Sequence, residues 1–505
     1  MKKTRTISFG AIALLSAPGV STQLAAQTAH HHYKLIEIPT LGGPQSFVNG
    51  GGGLTQILDN QGTFTGCADT SIPDLNFPNS NPQAAPPDPL IYHAIQWKND
   101  VLTDLGALPG ASSSCSFWIS ENGLIAGVSE TNVIDPFLGW PAARAVLWKE
   151  GKIIDLGTLG GNESFVVGGV NDRGQVVGSA TNAIPDPFSG YGTQLRGFLW
   201  QKGVMQDLGT LGGPDVLTTA VNNRGQIVGY GSTNSILNPI TGGLTTDPFL
   251  WEDGKMIDLG TLGGTFGGAG LINNQGQIAG QSNLAGDLVT RGFFWDRGVL
   301  TDLGSFGGDV VEVFWLNELG EVFGTAEYPG NVTRHAFRWK KGDMTDLGTL
   351  YAECSSDVTG STAYGANSKS QVVGSSWCDD LAAAAFLWED GEPMVDLNAL
   401  ITPASNIQLV FGLTINDGEE IAGVGFLPNG DSRDFVLIPC DDNHPGVEGC
   451  DYSLVEESAT ATGSAMPTTT TVKPKLPPDA IRQLMQAGAR RPNPWYRGFG
   501  AQPPK

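Results

Sequence analysis

The sequence predicts an all-β fold built from tandem repeats, and three observations support that prediction. A Trp, a short turn and an Asp-Leu pair recur seven times. The Asp residues of successive pairs are 44 to 52 residues apart, close to the repeat lengths of solenoids and propellers. The repeats are rich in Val, Ile, Leu and Phe and lack a helical period, which excludes helical repeat folds.

The repeat between residues 263 and 303 shows the predicted unit in full. Residues 271–273 and 277–280 flank an Asn-Asn-Gln-Gly turn, and Gly276 can take the positive φ that ends a type I turn with a bulge. A second hairpin joins an aromatic strand to the Asp-Leu strand through turns such as residues 251–254. Each repeat therefore predicts four short antiparallel strands.

The two ends of the repeat region complement each other. The last repeat, which ends near residue 437, lacks its fourth strand, whereas residues 33–43 have the register of an Asp-Leu strand without the three strands before it. A ring closed by these two segments leaves no open sheet edge. We therefore predict a closed β-propeller of eight four-stranded blades, in which the N-terminal strand completes the last blade. Seven blades is the alternative, because the first blade is degenerate around residues 59–62 and the last has no Trp.

The repeat motifs resemble those of the HAF-repeat family of extracellular repeat proteins. They read "GKIIDLGTLGG" from Gly151, "GKMIDLGTLGG" from Gly254, "VNNRGQIVGYGS" from Val221 and "AFLW" from Ala385. The resemblance covers residues 33 to 440 and implies an exported protein. It carries no established activity and no catalytic residues that could be transferred to this chain.

The remaining segments are predicted from composition. Lys2, Lys3 and Arg5 precede an apolar run over residues 7–20, so residues 1–27 are predicted to be a bacterial signal peptide, and the protein to be secreted or periplasmic. No other stretch is long enough to span a membrane. Residues 28–450 would form the propeller, residues 451–478 a disordered Ser, Thr and Pro-rich linker, and residues 479–505 a tail with a short helix.

The six cysteines are predicted to form disulfides, because an oxidising compartment and an even count favour them. Placing the loops on the predicted blades pairs Cys67 with Cys115 and Cys354 with Cys378. Cys440 and Cys450 enclose a short loop at the exit from the ring. Free thiols or a metal site are the alternative.

The predicted ligand surface is the rim formed by the connections between the second and third strands. These connections are long in the first four blades and short in the last four. Three of them repeat a Thr-Asn-x-Ile motif followed by Pro, and they contain six candidate binding residues. The alternative is that these side chains only pack the loops onto neighbouring blades. The six are Phe137, Trp140, Phe188, Tyr191, Asp135 and Asp186.

The repeated Trp and Asp residues are predicted to be structural. One Trp per repeat is explained by packing between blades, and an Asp before Leu-Gly can accept backbone N–H bonds in the following turn. The Trp residues are Trp97, Trp148, Trp200, Trp251, Trp295, Trp339 and Trp388. The Asp residues are Asp104, Asp155, Asp207, Asp258, Asp302, Asp346 and Asp396.

Composition restricts the partners and the chemistry. With 28 Lys and Arg against 51 Asp and Glu, the net charge of −23 repels nucleic acid. No zinc-hydrolase, nucleophile-elbow or phosphate-loop motif is present, so no catalytic residue is assigned. No metal or cofactor is expected; calcium is the alternative, but the chain lacks a D-x-[DN]-x-[DN]-G loop. Acids on the predicted loop face are Asp69, Asp74, Asp88, Asp135, Asp186, Asp357, Asp379 and Asp380.

Two classes of function fit these predictions. The first is a secreted, monomeric, non-catalytic propeller that binds an extracellular protein or glycan through its insert-bearing face. The second is a carbohydrate-active hydrolase or lyase whose loop carboxylates converge at the central channel. Mutations of the insert aromatics would abolish binding in the first class, and mutations of one or two carboxylates would abolish turnover in the second.

Overall fold

The computed structural model describes residues 30–48, 55–81, 87–239, 242–351, 358–378, 382–401 and 405–455. The predicted signal peptide, nearly all of the predicted linker and the C-terminal tail lie outside these residues. The described chain forms 32 β-strands and one helical turn, α1 (Leu397–Leu400). The all-β prediction is confirmed, and so are the four-stranded antiparallel sheets that the repeat predicted.

The strands form four sheets of four strands and two of eight, and each larger sheet consists of two four-stranded units joined by one parallel bridge. We number the units along the chain. Unit 1 contains β2 (Gly42–Phe47), β3 (Phe64–Pro73), β4 (Leu90–Lys98) and β5 (Val101–Asp104). Unit 2 contains β6 (Ser114–Ile119), β7 (Ile125–Ile134), β8 (Pro141–Lys149) and β9 (Lys152–Asp155). Unit 3 contains β10 (Gly160–Phe165), β11 (Val176–Pro185), β12 (Thr193–Gln201) and β13 (Val204–Asp207). Unit 4 contains β14 (Val216–Val221), β15 (Ile227–Leu237), β16 (Leu244–Glu252) and β17 (Lys255–Asp258).

The later units have the same order. Unit 5 contains β18 (Gly263–Ile272), β19 (Ile278–Leu284), β20 (Thr290–Asp296) and β21 (Val299–Asp302). Unit 6 contains β22 (Val311–Leu316), β23 (Val322–Glu327), β24 (Arg334–Lys340) and β25 (Asp343–Asp346). Unit 7 contains β26 (Thr359–Ala366), β27 (Val372–Cys378), β28 (Ala382–Trp388) and β29 (Val395–Asp396). Unit 8 contains β30 (Gln408–Ile415), β31 (Ile421–Phe426), β32 (Ser432–Pro439) and the N-terminal strand β1 (Tyr33–Glu37).

The N-terminal strand supplies the fourth strand of unit 8. β1 pairs antiparallel with β32, from Tyr33 opposite Pro439 to Glu37 opposite Phe435. Apolar side chains from the first and last parts of the repeat region therefore share one core, in which Tyr33 packs with Leu437 and Ile421.

Each unit begins with a hairpin whose tight turn is held by a buried side chain. In unit 4 the Oδ1 of Asn222 accepts hydrogen bonds from the backbone N–H groups of Arg224 and Gln226, both at 3.0 Å. Gly225 follows with φ +86°, a conformation that disfavours any residue with a Cβ. The Asn-x-x-Gly pattern in the sequence therefore has a geometric cause.

The same carboxamide joins one unit to the next. Asn222 Nδ2 donates to the carbonyl oxygen of Asn273 at 3.0 Å, which is the first residue of the turn in unit 5. Five further Asn residues make the equivalent bond, and all six are at most 5% exposed. The six bonds run from Asn171 to Asn222, Asn222 to Asn273, Asn273 to Asn317, Asn317 to Asn367, Asn367 to Asn416, and Asn416 to Asp59.

Two other contacts connect the turns of units 1, 2 and 3. Gln61 Nε2 donates to the Glu121 carbonyl oxygen at 2.8 Å, and Asn122 Nδ2 donates to the Asp172 carbonyl oxygen at 2.7 Å. Because the turn of unit 8 bonds to that of unit 1, the hydrogen bonds between turns return to their starting point.

The repeated Trp residues lie in the apolar layers of the units. Six of the seven are buried, and Trp295 is half-buried. Trp148 illustrates the contact with the preceding unit, since its Nε1 donates to the Leu105 carbonyl oxygen at 2.9 Å.

The second strand of unit 3 needs a glycine where its backbone lies close to its neighbours. A Cβ on Gly178 would lie 2.0 Å from the Phe165 carbonyl oxygen and 2.9 Å from the Phe198 ring.

Two of the three predicted disulfides lie within the described residues. Cys67 and Cys115 join β3 to β6 with their Cα atoms 5.1 Å apart, and Cys440 and Cys450 close the loop after β32 with Cα atoms 5.4 Å apart. These two pairings are confirmed. Cys354 lies outside the described residues, so its pairing with Cys378 stays a prediction.

The asparagine bonds between units lead to a stability prediction. Replacing Asn222 by Ala leaves the Asn273 carbonyl oxygen and two turn N–H groups without partners, so we expect the free energy of unfolding to fall by about 2 to 4 kcal/mol. Urea unfolding followed by tryptophan fluorescence measures it. Asn274→Ala, which removes an exposed carboxamide of the neighbouring turn, is the control and should cost less than about 1 kcal/mol. Equal losses for the two variants would contradict the role of the buried carboxamide.

Candidate functional site

The turns between the first and second strands surround a cavity of about 340 Å³. Every unit contributes residues to its wall. In six units the residue two positions before the buried turn residue lines the cavity, and we call these largely apolar residues the floor. These floor residues are Trp118, Gly169, Ala220, Leu271, Trp315 and Thr414.

The rim of this cavity, which we call the channel mouth, is polar. It is formed by the second residue of each turn. Four of these residues are acids, and none of the described residues that line the cavity is Lys, Arg or His. The rim residues are Asn60, Glu121, Asp172, Asn223, Asn274, Glu318, Ser368 and Asp417.

Hydrogen bonds between neighbouring turns position the rim side chains. Asn223 Nδ2 donates to Asp172 Oδ2 at 2.6 Å, and Asn274 Nδ2 donates to Glu318 Oε1 at 2.9 Å. The Asp417 carboxylate accepts from the Ser368 backbone N–H at 2.9 Å. The rim acids are therefore fixed by the same turns that hold the fold together.

Glu121 and Asp172 form the most notable pair on the rim, because they lie on adjacent turns and interact electrostatically. Burial raises the pKa of Glu121 above its ordinary value, and the negative charges of Asp59 and Asp172 raise it further. Hydrogen bonds from the Asn60 N–H at 2.9 Å and from Gln56 Nε2 at 2.8 Å oppose these effects. Two carboxyl groups in different environments on one cavity rim are an arrangement that acid–base catalysis can use.

Two oxygen atoms in the cavity wall have no hydrogen-bond partner among the described residues. One is Asp172 Oδ1, although the other oxygen of that carboxylate is bonded to Asn223. The other is Oγ1 of Thr414, a floor residue that is 3% exposed. Buried polar atoms normally have partners, so these two oxygen atoms are unusual features of the cavity wall.

The floor is asymmetric beside this acid pair. The Trp118 indole lies against the backbone of Gly169 in the next unit, where a Cβ would be 2.9 Å from two ring carbons. Gly169 has φ +84°, and the first strand of unit 3 ends at Phe165, four residues before it. Because residue 169 is a glycine, the Trp118 indole can occupy this position at the edge of the channel mouth.

The structure places the six predicted binding residues elsewhere, and none of them lines the channel mouth. They lie in the connections between second and third strands, at the opposite end of the second strand from the turns. Phe137 is 65% exposed, but one side of its ring packs on Gly192 of the next insert. Trp140, Phe188 and Tyr191 are half-buried, and the Tyr191 ring centroid lies 5.5 Å from that of Phe165.

Asp135 and Asp186, the two acids among the six predicted binding residues, each accept backbone hydrogen bonds within their own insert. Asp135 is buried, and its Oδ1 accepts from the N–H groups of Phe137 at 2.7 Å and Leu138 at 2.9 Å. Asp186 is also buried, and its Oδ1 accepts from the Phe188 N–H at 2.8 Å. Both carboxylates hold the turn in their insert.

The repeat aspartates have a comparable local contact. Each accepts a hydrogen bond from the backbone N–H two residues later, at 2.7 to 2.9 Å. His93 and His335 also contact Asp104 and Asp346 at 3.0 Å. None of the seven repeat aspartates lines the channel mouth.

A second group of acids is buried beneath the inserts. The backbone N–H of Asn81 donates to Glu130 Oε1 at 2.8 Å, and its Nδ2 donates to Glu163 Oε2 at 3.3 Å. Burial raises the pKa of Glu130 to about 7 and that of Glu163 to about 8. Both side chains are at most 1% exposed, so a substrate cannot reach them.

The other loop-face acids are spread over separate contacts. Asp69 Oδ2 accepts from the Gln45 N–H at 3.1 Å, and burial raises the pKa of Asp69 to about 7. Asp74 and Asp88 accept from backbone N–H groups two residues later, at 2.9 Å and 2.8 Å. Three predicted loop-face acids lie outside the described residues: Asp357, Asp379 and Asp380.

The described residues contain no group of three or more His, Cys, Asp or Glu side chains arranged to hold a metal ion. Within the same residues, no helix has both the length and the apolar character that crossing a membrane requires.

The comparisons with known proteins give distant structural matches. No family model and no curated protein matches the chain. Among solved structures, the β-propeller domain of the trilobed protease of Pyrococcus furiosus, described as having an open velcro topology, is 11% identical with a TM-score of 0.40. That match covers 72% of this chain and 98% of the domain.

Two larger peptidases also match part of this chain. For the acylaminoacyl peptidase of Pyrococcus horikoshii the identity is 14% and the TM-score 0.37, and the match covers 67% of this chain and 53% of the peptidase. For dipeptidyl peptidase 4 of Porphyromonas gingivalis the identity is 11% and the TM-score 0.37, and the match covers 60% of this chain and 47% of the peptidase. The chain therefore spans about half the length of each peptidase.

The first interpretation of function requires correction. A secreted non-catalytic propeller that binds a protein or glycan through its insert face was expected, but the solved propellers similar to this chain belong to peptidases. Of the six candidate binding residues of the insert face, three aromatic side chains are half-buried and two acids hold their own loops, whereas Phe137 is exposed. The acid-lined cavity opens at the opposite end of the units. The non-catalytic interpretation is not retained.

The buried insert acids generate a pH prediction. A carboxyl group whose pKa rises from 4.5 to about 8 on folding, as for Glu163, stabilises the fold fully below pH 4.5 and loses that contribution as the pH rises to 8. We expect the free energy of unfolding to fall between pH 5 and pH 8, by on the order of 3 kcal/mol from Glu163 alone.

Urea unfolding at several pH values measures this dependence. Glu163→Gln should flatten it and stabilise the protein at pH 8, because Gln has no proton to lose in that range. Glu150→Gln, in an exposed turn, is the matched control and should leave the profile unchanged. A stability that rises with pH in the unmodified protein would show that Glu163 is ionised in the folded state.

Proposed function

We propose that the chain is a closed β-propeller of eight blades that hydrolyses carbohydrate at the channel mouth. Each four-stranded unit would be one blade. The return of the hydrogen bonds between turns to their starting point, from Asn416 to the Asp59 carbonyl oxygen, supports closure, and so does the pairing of β1 with β32.

The catalytic proposal rests on one observation: Glu121 and Asp172 stand on adjacent turns at the mouth of the cavity, with the pKa of Glu121 raised and one oxygen of Asp172 unpartnered. In the proposed reaction Glu121 donates its proton to the glycosidic oxygen as the bond to the anomeric carbon breaks. Asp172 takes a proton from the attacking water, whose oxygen forms the new bond to that carbon. Most glycosidases use a pair of carboxyl groups in hydrolysis.

The lining of the channel mouth favours a neutral glycan as substrate. Its rim offers carboxylates and carboxamides, which bond hydroxyl groups, and its floor offers two indoles, Trp118 and Trp315, against which sugar rings can stack. The described lining has no cation to neutralise a uronic acid, and elimination at a uronic acid is the usual lyase reaction. Hydrolysis is therefore the better proposal of the two chemistries that the sequence left open.

We further propose that the protein is exported. The charged and apolar pattern of residues 1–27 and the two disulfides among the described residues support this location. The similarity of the repeat motifs to the HAF-repeat family agrees with export but adds no activity.

The catalytic roles can be tested by mutation of the full chain. With soluble neutral polysaccharides as substrates and reducing-sugar release as the readout, we expect Glu121→Gln and Asp172→Asn each to lower kcat by about 100-fold or more. Loss of the Glu121 proton should also account for the fall in rate at alkaline pH, so Glu121→Gln should abolish that limb of the profile.

Glu318→Gln is the matched control, because Glu318 is a rim acid on a different turn and loses the same charge. Its kcat should stay within about threefold of the unmodified protein. Absence of sugar release from every neutral polysaccharide would refute the proposed function. Equal losses in the control and the two active-site variants would refute the assignment of the acid pair.

A further inference from the structure

The channel mouth contains the same local arrangement twice, in units 1 and 2 and again in units 5 and 6. We propose that the two arrangements are the halves of one binding site for neutral oligosaccharides of at least two sugar rings. Trp118 holds the ring beside the acid pair of Glu121 and Asp172, and Trp315 holds a second ring on the opposite side. This inference rests on the proposed function, because that function supplies the catalytic role of the acid pair.

The repetition is visible in the sequence of the turns. Unit 1 has Asn-Gln-Gly at residues 60–62, and unit 5 has the same three residues at positions 274–276. The unit that follows has the pattern Trp-x-x-Glu in both cases, at residues 118–121 in unit 2 and at residues 315–318 in unit 6. The pattern at the channel mouth therefore recurs after four units.

The hydrogen bonds of the two arrangements correspond as well. The Asn60 N–H donates to the Glu121 carboxylate at 2.9 Å, and the Asn274 N–H donates to the Glu318 carboxylate at 3.1 Å. In both places the next residue, a Gln, donates from its side chain to the carbonyl oxygen of the same Glu. The turn above each floor Trp is therefore fixed to the preceding unit in the same way.

The two indoles also have corresponding surroundings. Trp118 packs against a buried cluster that includes Val166 of unit 3, and Trp315 packs against one that includes Ala366 of unit 7. Each indole therefore lies at the boundary with the unit that follows it. Both are half-buried and line the cavity, so part of each ring can contact a ligand. The other four floor residues are Gly, Ala, Leu and Thr, so the two indoles are the flat surfaces that the floor offers.

Units 2 and 6 have opposite positions in the proposed ring of eight units, because three units separate them in either direction. The cavity of about 340 Å³ lies at the centre of this ring. The apolar face of a sugar ring can stack on an indole, while polar groups on the rim bond its hydroxyl groups. A chain that contacts both indoles therefore has to span the channel mouth.

The two halves differ at the next position along the rim. Unit 3 supplies Asp172 after Glu121, whereas unit 7 supplies Ser368 after Glu318. A Ser hydroxyl is a far weaker base than a carboxylate, so it cannot take a proton from the attacking water as Asp172 does. The Glu318 carboxylate is also engaged in its own turn, where it accepts from Asn274 Nδ2 at 2.9 Å. The half in units 5 and 6 therefore binds sugar without cleaving it.

This division predicts a dependence on chain length. A single sugar ring contacts one indole, whereas a longer chain contacts both, so the affinity should rise when the chain becomes long enough to reach from one half to the other. Trp315 is then a specificity-determining residue that is remote from the reacting bond. Its contribution should appear only with substrates that reach it.

Isothermal titration calorimetry on the full chain tests this dependence without turnover. The protein carries Glu121→Gln and Asp172→Asn, and the probes are linear glucose and mannose oligosaccharides of one to six rings. We expect the affinity to be about tenfold or more higher for the longer chains than for one ring. In the same background Trp118→Leu and Trp315→Leu should each remove this rise. Each should leave the affinity for one ring within about twofold, because the other half still binds it.

The variants are matched to residues that the chain already contains. Leu is the floor residue of unit 5, Leu271, so it fits this position of the repeat. Trp315→Phe keeps an aromatic ring and should retain most of the rise with chain length. Trp377→Leu is the control, since Trp377 is a half-buried Trp of unit 7 that contacts Arg334 and does not line the channel mouth. It should bind every length as the parent does.

Kinetics with the acid pair intact separate Trp315 from the reacting groups. Trp315→Leu should lower kcat/KM for a six-ring chain by about tenfold or more. It should leave kcat/KM unchanged for an aryl glycoside of one sugar, because that sugar occupies the half beside Glu121. Trp118→Leu should lower kcat/KM for both substrates.

The possible results distinguish this inference from the proposed hydrolase. An affinity that does not depend on chain length would overturn the inference, and so would the absence of binding by every oligosaccharide. An equal loss in Trp377→Leu and Trp315→Leu would also overturn it. Sugar release in the presence of any of these results would leave the hydrolase standing. Binding that rises with chain length in a protein that releases no sugar would support the two-part site and refute the hydrolase.

Discussion

The buried asparagine carboxamide at the first hairpin of units 3 to 8 is the interaction on which the structure depends most. One side-chain oxygen closes the turn of its own unit, and the nitrogen of the same group bonds the backbone of the next unit. Local turn geometry and the contact between units are therefore satisfied by a single planar group. Because this group is buried, neither bond can be replaced by water without a cost.

The channel mouth follows from this arrangement. In units 3 to 8 the first residue of the turn makes the hydrogen bond between units, and in all eight units the second residue lies on the rim, where its identity varies. Units 2, 3, 6 and 8 place acids there, and unit 3 in addition lacks a side chain at Gly169, which gives the Trp118 indole its place. The repeated residues thus form the turns, and the residues that differ between repeats line the cavity.

Sequence periodicity predicted the strands, the hairpin turns and the pairing of the two ends because each depends on local patterns: Asn-x-x-Gly, Asp-Leu-Gly and alternating apolar residues. The location of the cavity was not predicted. The length of the inserts and their aromatic residues predicted a binding surface at the opposite end of the units. In the structure Tyr191 packs on Phe165, and Asp135 stabilises a turn in its own insert. The repeat pattern does not predict either contact. The acid pair could have been found from one signal, the polar residue that follows the buried turn residue in each repeat.

The pairing of β1 with β32 has a consequence for biosynthesis. Its partners are about 400 residues apart in sequence, so unit 8 acquires its fourth strand only after nearly the whole chain has left the ribosome. Until then, β1 is a short strand without a sheet, and the edge of β32 does not exist. The first units can assemble early through their local hairpins. Unit 8 is complete only when β1 pairs with β32, so we expect this pairing to be the slow step of folding.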